Sequence, residues 1–328
     1  MEQKQACRML FRKSREGGAA LLRMYGASPR VFVPPLIAGL PCVEIAPYCF
    51  AGESRLFNEP YEEIAYGDGG LQPFLQELCK NAIEEVVLPD SVRTIGSCAF
   101  YNCRKLKTIS MGAAAKEIGS DAFMNTISLS QIVLRCPANQ TSGIQKMLGQ
   151  ISSDLEVAFV SGDRIEASLF YPDYNESYDE IAPAHLFGRN ISGEGFRARQ
   201  CFADGRVDFA GYDDVFLQAC VEELERTLSN MALGRLRYPY QLSRKSEERY
   251  HSYVREHVLE IADWMILERD LDALQFLCQE KLLGGANLAT CIRAAAKALW
   301  PEGAAGLLRE KAAAGQAGNE SRYDFDAF

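Results

Sequence analysis

The apolar positions of residues 83–134 recur with a period of 23 residues. Three columns of apolar residues align at this spacing: Ile83, Leu106 and Leu129; Val86, Ile109 and Ile132; and Leu88, Met111 and Leu134. The second and third columns lie two residues apart, so their side chains point to the same face of a short strand. A fixed period in the twenties is typical of stacked structural units and predicts a solenoid.

The second half of each unit aligns at the same period. The matched pairs are Ile95 with Ile118, Gly96 with Gly119, Ala99 with Ala122, and Phe100 with Phe123. Glycine permits a turn that a larger residue resists, and we expect the phenylalanines to fill the interior of the stack. An earlier copy within residues 31–50 keeps the same spacing between Ile45 and Phe50. The repeat therefore begins well before its clearest copies.

Less regular segments flank and interrupt these units, as expected where a terminal repeat must cover an open core. Residues 51–82 are an insertion, and its apolar residues at helical spacing predict a short helix. These residues are Leu71, Phe74, Leu75 and Leu78. Residues 141–151 predict a helix that closes the stack after a truncated fourth unit. Near the N-terminus, two apolar runs joined by the turn-like sequence REGG predict a β-hairpin. The repeat domain is predicted to span residues 1–150.

Residues 88–109, LPDSVRTIGSCAFYNCRKLKTI, resemble the BspA-type leucine-rich repeats of bacterial proteins, whose units read roughly LP-x-S-V-x-x-I-G-x-x-A-F-x-x-C-x-x-L-x-x-I. The matching residues are Leu88, Pro89, Ser91, Val92, Ile95, Gly96, Ala99, Phe100, Cys103, Leu106 and Ile109. The next unit departs from this pattern, with Gly112 in place of proline and Thr126 in place of cysteine. The resemblance covers about residues 28–136 and implies a short leucine-rich-repeat solenoid. Such repeats serve as binding surfaces for many partners, so it also implies a binding role.

The chain beyond the repeats divides into a β-rich connector at residues 151–210, a helical domain at 211–316 and a tail at 317–328. Segments 212–238 and 246–270 each predict one long helix, and three shorter helices follow. The predicted fold class is therefore α+β, with a short leucine-rich-repeat solenoid followed by an all-helical C-terminal domain.

The shorter helices show a spacing of 31 residues, which matches Ala273 with Ala304 and Leu277 with Leu308. This spacing resembles a degenerate ankyrin-like array of helix pairs. A plain helical bundle is the alternative, because the TPLH signature of ankyrin repeats does not occur in the chain.

Composition and charge exclude several classes of function. The 328 residues are 48% hydrophobic and 24% charged, with a net charge of −9 and a pI near 5.1. So acidic a chain lacks the basic face of a general nucleic-acid binder, and no apolar run of about 18 residues is present to span a membrane. The 11 cysteines include no Cys-x-x-Cys pair, and the N-terminus lacks the apolar core of an export signal. These features predict a cytoplasmic protein with reduced thiols.

Catalytic, metal-binding and cofactor-binding motifs do not stand out in the sequence, so we expect no catalytic residue, no metal and no cofactor. The alternative is an enzyme or small-ligand-binding protein whose site lies in residues 160–210. Its candidate residues are His185, Arg189, Arg197 and Arg199. Convergence of titratable residues in a deep pocket would favour this alternative.

The best candidates for binding lie between the buried columns of the repeat strands, because those side chains point outward. They are Val87, Ser110 and Val133, with Glu85, Thr108 and Gln131 flanking the same surface. An exposed sheet that bears valines can receive a protein partner; coverage by the C-terminal helices or the connector is the alternative. The main hypothesis is a non-enzymatic protein-interaction module or scaffold, in which the repeats and the helical domain together present a binding groove.

Overall fold

The computed structural model of the protein describes residues 6–52, 60–67, 75–181 and 186–320. The chain separates into two compact units. The first comprises Met1–Glu223 and Tyr238–Gln241, and the second comprises Leu224–Arg237 and Leu242–Phe328. The predicted fold class is confirmed, since a solenoid of about five turns is followed by a helical region.

The first unit is built mainly of short strands. Its N-terminal and repeat strands are β1 (Cys7–Lys13), β2 (Ala19–Gly26), β3 (Arg30–Phe32), β4 (Leu36–Ile37), β5 (Leu40–Ile45), β6 (Glu62–Tyr66), β7 (Gln76–Glu77), β8 (Glu85–Val87), β9 (Thr94–Ile95), β10 (Thr108–Gly112), β11 (Glu117–Ile118) and β12 (Gln131–Arg135). The remaining elements are α1 (Ile144–Leu148), β13 (Leu155–Ser161), β14 (Arg164–Tyr171), β15 (Asn175–Ile181), β16 (Leu186–Ser192), α2 (Gly195–Ala198), β17 (Phe202–Ala203), β18 (Arg206–Val207) and α3 (Phe209–Glu222).

Five parallel strands, β3, β8, β10, β12 and β13, form one wall of the solenoid, and β14 joins β13 antiparallel. One row of buried side chains crosses the parallel strands in register: Val31, Val86, Ile109, Ile132 and Val157. β-branched side chains suit a pleated strand because their χ1 angles are already restricted. Burial of this row contributes to the hydrophobic stabilisation of the coils.

A second wall is formed by β5, β9 and β11, which are parallel and place Ile45, Ile95 and Ile118 in register. Strand β2 pairs parallel with β5, and β1 and β6 extend the same sheet antiparallel. Strands β1 and β2 therefore form a hairpin that lies beside the first turn of the solenoid, and each such turn is called a coil below.

The segments that return from the second wall place aromatic rings inside the stack. The rings of Phe50, Phe100 and Phe123 follow one another with centroid distances of 5.1 and 5.3 Å. Gly96 and Gly119 lie where neighbouring coils approach closely, and a Cβ on Gly96 would be 2.4 Å from a backbone nitrogen of the previous coil. These glycines are needed for close packing of the coils, whereas the sequence suggested a role in the turn.

The stack does not close at the helix predicted for residues 141–151. Helix α1 has only five residues, and β13 then adds a further parallel strand. The end of the solenoid is covered by α3, whose Phe209 and Tyr212 approach Phe159 and Tyr171 with ring-centroid distances of 6.4 and 5.7 Å. Because of this packing, α3 belongs to the first unit, although it starts near the predicted beginning of the helical domain.

The helix predicted within the insertion is wrong over its described part. Strand β7 pairs antiparallel with β2, and a 3-10 helix follows at Lys80–Ala82. Leu71 and Phe74 lie outside the described residues. Pairing with β2 is a tertiary interaction, which can override the helical periodicity of a short segment.

The second unit consists of helices: α4 (Glu225–Arg237), α5 (Arg244–Glu256), α6 (Val258–Glu268), α7 (Leu271–Gln279), α8 (Gly285–Lys297) and α9 (Pro301–Glu320). The long helices predicted across residues 212–238 and 246–270 are each interrupted. The first breaks at Glu223, whose backbone is extended, and the second at His257, with φ −107° and ψ 20°. A break of one or two residues does not interrupt the apolar periodicity, so each pair of helices looks like one continuous helix in the sequence.

Helices α6 and α7 are followed by a second helix pair, α8 and α9, at a spacing of 30 residues. The equivalent buried residues are Val258 and Leu288, Ile261 and Cys291, Met265 and Ala295, and Leu277 and Leu307. In each pair, the residue after the first helix has a left-handed backbone conformation: Arg269 with φ 58° and Leu299 with φ 53°. The predicted spacing of 31 residues is wrong, because it matches the buried Leu277 with Leu308, which is 52% exposed.

Candidate partner-binding face

The six predicted partner-binding residues lie together on the outer side of β8, β10 and β12. The parallel register forms two rows, one of Glu85, Thr108 and Gln131 and one of Val87, Ser110 and Val133. All six are half-buried. Adjacent strands are about 4.8 Å apart, so each row of three extends about 10 Å. We call these six residues, together with Phe32, the ladder face.

Phe32 extends the valine row onto β3, where it pairs in register with Val87 and is 47% exposed. At the other end of the row, Ala158 on β13 is buried. The ladder face is therefore accessible at its β3 end and covered beyond β12. Phe32 was not among the residues predicted from the sequence, although the copy that begins at residue 31 carries the same outward position and was the signal for it.

Polar side chains of the ladder face contact one another along the rows. The Arg30 Nε lies 2.5 Å from the Glu85 Oε2, and the Thr108 hydroxyl donates to the Gln131 Oε1 over 3.5 Å. An exposed ion pair of this kind contributes only about 0–1 kcal/mol. These contacts order the side chains more than they stabilise the fold, and the valine row beside them is half-buried.

Arg135, at the end of β12, borders the ladder face and is paired with Asp90. Its Nη1 donates to the Ser110 hydroxyl over 2.5 Å, and its Nη2 lies 2.8 Å from the Asp90 Oδ1 and also donates to the Leu88 carbonyl. The guanidinium thus spans three coils. Arg135 was not predicted from the sequence, because its contacts are with residues 25 and 45 positions earlier in the chain.

The outer side of the other wall differs in chemistry. Glu44 accepts from Arg12 and from Ser14, each over 2.9 Å, and Glu117 pairs with Lys146 over 3.0 Å. These carboxylates on the second wall are thus paired with neighbours within the same chain. The ladder face also has ion pairs, Arg30 with Glu85 and Arg135 with Asp90. It differs in carrying valines and an accessible phenylalanine, which is the composition expected of a surface that a partner can desolvate.

The arginines of the alternative site point to separate partners. Arg189 pairs with Glu176, with 2.7 Å between its Nε and the Oε1, and this hydrogen bond holds the pKa of Glu176 below its ordinary value. Arg197 pairs with Glu194 over 3.2 Å. His185 lies outside the described residues. Arg189 and Arg197 therefore serve two different carboxylates and do not converge on one point.

Arg199 is buried and holds backbone carbonyls together. It donates to the oxygens of Ile151 over 2.9 Å, Ser153 over 2.7 Å, and Gly195 over 3.0 Å, and also to that of Pro172. Burial lowers the pKa of its guanidinium. Its donors are occupied by the main chain, which identifies Arg199 as a structural residue of the connector.

The buried thiols of the solenoid are poor nucleophiles. Burial raises the pKa of Cys42 and of Cys103, each to about 12. Since the thiolate is the nucleophile and metal ligand, these cysteines stay protonated at neutral pH. Among the described residues, no group of three or more His, Cys, Asp or Glu side chains is arranged to hold a metal ion. No helix in the described ranges is long and apolar enough to cross a membrane.

The register of the parallel wall agrees with the family comparison. Residues 76–171 match the model of the BspA type leucine rich repeat region, in six copies. The resemblance predicted over about residues 28–136 is confirmed from residue 76 onward, and the match continues to residue 171. The ankyrin-like resemblance of the helical half is not confirmed. Repeats of this family suggest a role in protein interaction or at a surface. None of the curated proteins matches the chain.

One solved structure that resembles the chain is a leucine rich cell surface protein from Faecalibacterium prausnitzii A2-165, which is 20% identical. The match covers 48% of this chain and 42% of that protein, with a TM-score of 0.26, so the superposition itself carries no argument. The predicted cytoplasmic location is contradicted, because BspA type repeats point to a surface or extracellular location.

Proposed function

We propose that the ladder face binds a protein partner and that the chain is a non-enzymatic interaction protein of bacterial type that acts at the cell surface. The in-register row of Phe32, Val87, Ser110 and Val133 is the observation that carries this proposal. A surface location is supported by the family match.

Binding at this face relies on shape and apolar burial. The valine row and Phe32 supply the apolar anchors, and Thr108 and Gln131 supply hydrogen-bonding groups beside them. The ion pairs of Arg30 with Glu85 and of Arg135 with Asp90 place polar groups at two borders, where charged groups set orientation and association rate more than affinity. The aromatic anchor at the accessible end is the kind of residue that dominates the free energy of binding at protein interfaces.

The helical unit contributes a second surface to this proposal. Helices α6 to α9 form two equivalent pairs, and we infer that they belong to an ankyrin-like array whose turns are available for binding. The αL residues Arg269 and Leu299, at the same position of each pair, support a true repeat.

The test of the ladder face is a triple substitution, Val87→Arg with Ser110→Arg and Val133→Arg, in the tagged full chain. Affinity capture from the cells that produce the protein, followed by mass spectrometry, would compare its partners with those of the unaltered chain. The matched control is Met124→Arg with Ile127→Arg, because both residues are exposed elsewhere on the same solenoid.

The triple variant is expected to lose the partner that the control retains, with both variants keeping the circular-dichroism spectrum and melting temperature of the unaltered protein. Retention of every partner by a folded triple variant would show that the ladder face is not the binding site.

A further inference from the structure

Strands β15 and β16 form an isolated antiparallel hairpin. The pairing joins seven residues of each strand, from Asn175 with Ser192 to Ile181 with Leu186. Within the described ranges, neither strand joins another sheet. A two-stranded sheet is only marginally stable in water, and a third strand or a helix packed on one face stabilises it. The hairpin therefore has two edges at which a strand can be added.

Cross-strand contacts on both faces hold the hairpin extended. Arg189 donates to both carboxylate oxygens of Glu176, over 2.7 and 3.0 Å. On the opposite face, Asn190 donates to the Asp179 carboxylate over 2.5 Å. Diagonal pairs of this kind stabilise antiparallel strands. The Arg189 guanidinium also lies 5.1 Å from the centroid of the Phe196 ring in α2, which ties the hairpin to that helix. The edges are therefore ordered before any partner binds.

The main chain along a hairpin edge determines what can bind there. In an antiparallel pair, alternate residues point their N–H and C=O groups away from the neighbouring strand. Over the seven residues of β16, these outward groups extend about 20 Å along its edge. Donors and acceptors that alternate at this spacing are matched by another extended backbone, so the natural occupant of such an edge is a strand.

Both ends of the first wall of the solenoid are protected against strand addition. Strand β3 has only three residues, directly follows Pro29 and is followed closely by Pro34. At the other end, the Tyr212 hydroxyl of α3 donates to the Phe170 carbonyl of β14. Short strands, prolines and covering helices are the means by which proteins protect a sheet edge. Strand β16 has seven residues, contains no proline and lacks such a cover within the described ranges.

Charge distinguishes the two edges of the hairpin. Strand β15 carries Glu176 and Asp179, and charged side chains on an edge strand disfavour the addition of another strand. Strand β16 has one charged residue, Arg189, and Glu176 neutralises it. The edge of β16 is therefore the better place for a third strand.

We propose that the outer edge of β16 binds an extended segment of a protein partner, which adds to the hairpin as a third strand. Ile191 is 37% exposed on one face, and the opposite face presents Asn190 and Ser192. The partner segment therefore alternates apolar residues, which pack beside Ile191, with hydroxyl or amide residues on the other face. This edge is distinct from the ladder face and does not depend on it.

A second copy of the chain is a less suitable occupant of this edge. Pairing of two β16 strands would bury one strand edge from each copy, which is less than the total of about 1,200 Å² that a stable interface buries. A short segment of a partner needs no larger surface, because a single added strand is a complete ligand in this mode of recognition.

Fluorescence anisotropy of the full chain with two labelled peptides tests the proposal. Both peptides have about nine residues that alternate valine with threonine. The first is N-methylated at alternate residues, which prevents its self-association and leaves the N–H donors of one edge; the second is N-methylated throughout. The protein is expected to bind the first peptide at least about tenfold more tightly. Hydrogen exchange should slow in Leu186–Ser192 on binding, and not in Asn175–Ile181.

Two point variants identify the edge that is used. Ile191→Asn should weaken binding of the first peptide about tenfold. Tyr178→Asn is the matched control, because Tyr178 is 63% exposed on the same face but belongs to β15, and it should bind as the unaltered chain does.

A deletion tests the hairpin as a whole. Removal of residues 176–191, with Asn175 and Ser192 joined through two glycines, should abolish binding and leave the melting temperature of the solenoid unchanged. The ladder-face triple variant should bind the peptide normally, which keeps the two proposals separable.

The proposal is overturned if the peptide with free donors is not preferred, or if the deletion variant binds it equally well. It is also overturned if Tyr178→Asn weakens binding and Ile191→Asn does not. Light scattering after size exclusion provides a further check. A dimer that dissociates in the deletion variant would show that the edge joins two copies of the chain, and the proposed partner would be wrong.

Discussion

The ring of Phe100 stacks on the ring of Phe123, with 5.3 Å between their centroids and 9° between their planes. The same geometry joins Phe100 to Phe50 at 5.1 Å and 10°. All three rings are fully buried. Each ring therefore packs against its equivalent in the neighbouring coil, and removal of the middle one exposes both others to a cavity.

Phe100→Ala is expected to lower the free energy of unfolding of the solenoid by about 3–5 kcal/mol, because a buried ring is lost and the coils cannot close the cavity. Urea unfolding followed by far-ultraviolet circular dichroism measures this change. Trp264 and Trp300 both lie in the second unit, so tryptophan fluorescence follows that unit separately.

The control for this prediction is Met124→Ala, because Met124 is exposed and directly follows Phe123 in the chain. This substitution should change the free energy of unfolding by no more than about 0.5 kcal/mol. Equal losses in the two variants would mean that the aromatic ladder is not a principal source of solenoid stability.

Gly119→Ala tests how closely the coils approach. A Cβ at this position would be 2.3 Å from the Ser97 backbone nitrogen, and a backbone atom cannot move aside as a flexible side chain can. We expect a loss of about 1–3 kcal/mol in the same urea experiment. Gly149→Ala is the matched control, because its φ is −66° and its Cβ would meet atoms no closer than 3.6 Å. A tolerated Gly119→Ala would contradict the close packing of the coils.

The inward positions of the solenoid could be predicted from the sequence because only apolar side chains fit there. Ile109 and Ile132 recur at the period that their strands impose. Phe32 belongs to the same array, but the insertion at residues 51–82 separates its strand from the next and breaks the period. The copy at residues 31–50 was recognised by its spacing between Ile45 and Phe50, but the interrupted period left its strand unaligned with the others, so Phe32 was not assigned to the outward row.

Backbone conformation was less accessible to sequence reasoning. Tyr48, Cys98 and Asp121 occupy equivalent left-handed positions with φ values of 59°, 55° and 55°. Such positions favour glycine or asparagine, so these residues gave no signal of the turn. Arg135 was missed for a different reason, because its contacts with other coils depend on the completed fold.

Leu299→Gly is expected to stabilise the second unit by about 0.5–1 kcal/mol, because a left-handed conformation strains any residue with a Cβ. Leu299 has φ 53° and is 82% exposed, so its side chain contributes little packing that the substitution would remove. The buried Trp300 follows it directly and reports unfolding by fluorescence. The control Leu308→Gly, inside α9, should instead lose about 1 kcal/mol. A loss in both variants would contradict strain at residue 299.

The carboxyl of Glu194 should make the first unit less stable as the pH rises. Burial raises the pKa of Glu194; Arg197 lowers it, and the nearby Glu222 and Glu223 raise it. The carboxyl is protonated in the folded and unfolded chain well below the ordinary pKa of 4.5, where it has no effect on stability. Above the raised pKa, the folded chain must hold a buried negative charge, and its free energy of unfolding is lower.

Glu194→Gln removes this charge, so the decline in unfolding free energy between pH 4.5 and the raised pKa should be smaller in the variant than in the unaltered protein. The contrasting substitution is Glu84→Gln. The hydrogen bond and charge of Lys107, 2.8 Å away, lower the pKa of Glu84, so this carboxylate favours the folded chain above pH 4.5 and loses that effect as the pH falls through its lowered pKa. Urea unfolding across this pH range measures both slopes. Because the pKa shifts of Glu194 and Glu84 have opposite signs, the two substitutions should change the pH dependence of the unfolding free energy in opposite directions and in separate pH windows. An equal change in both variants would contradict burial as the cause of the raised pKa of Glu194.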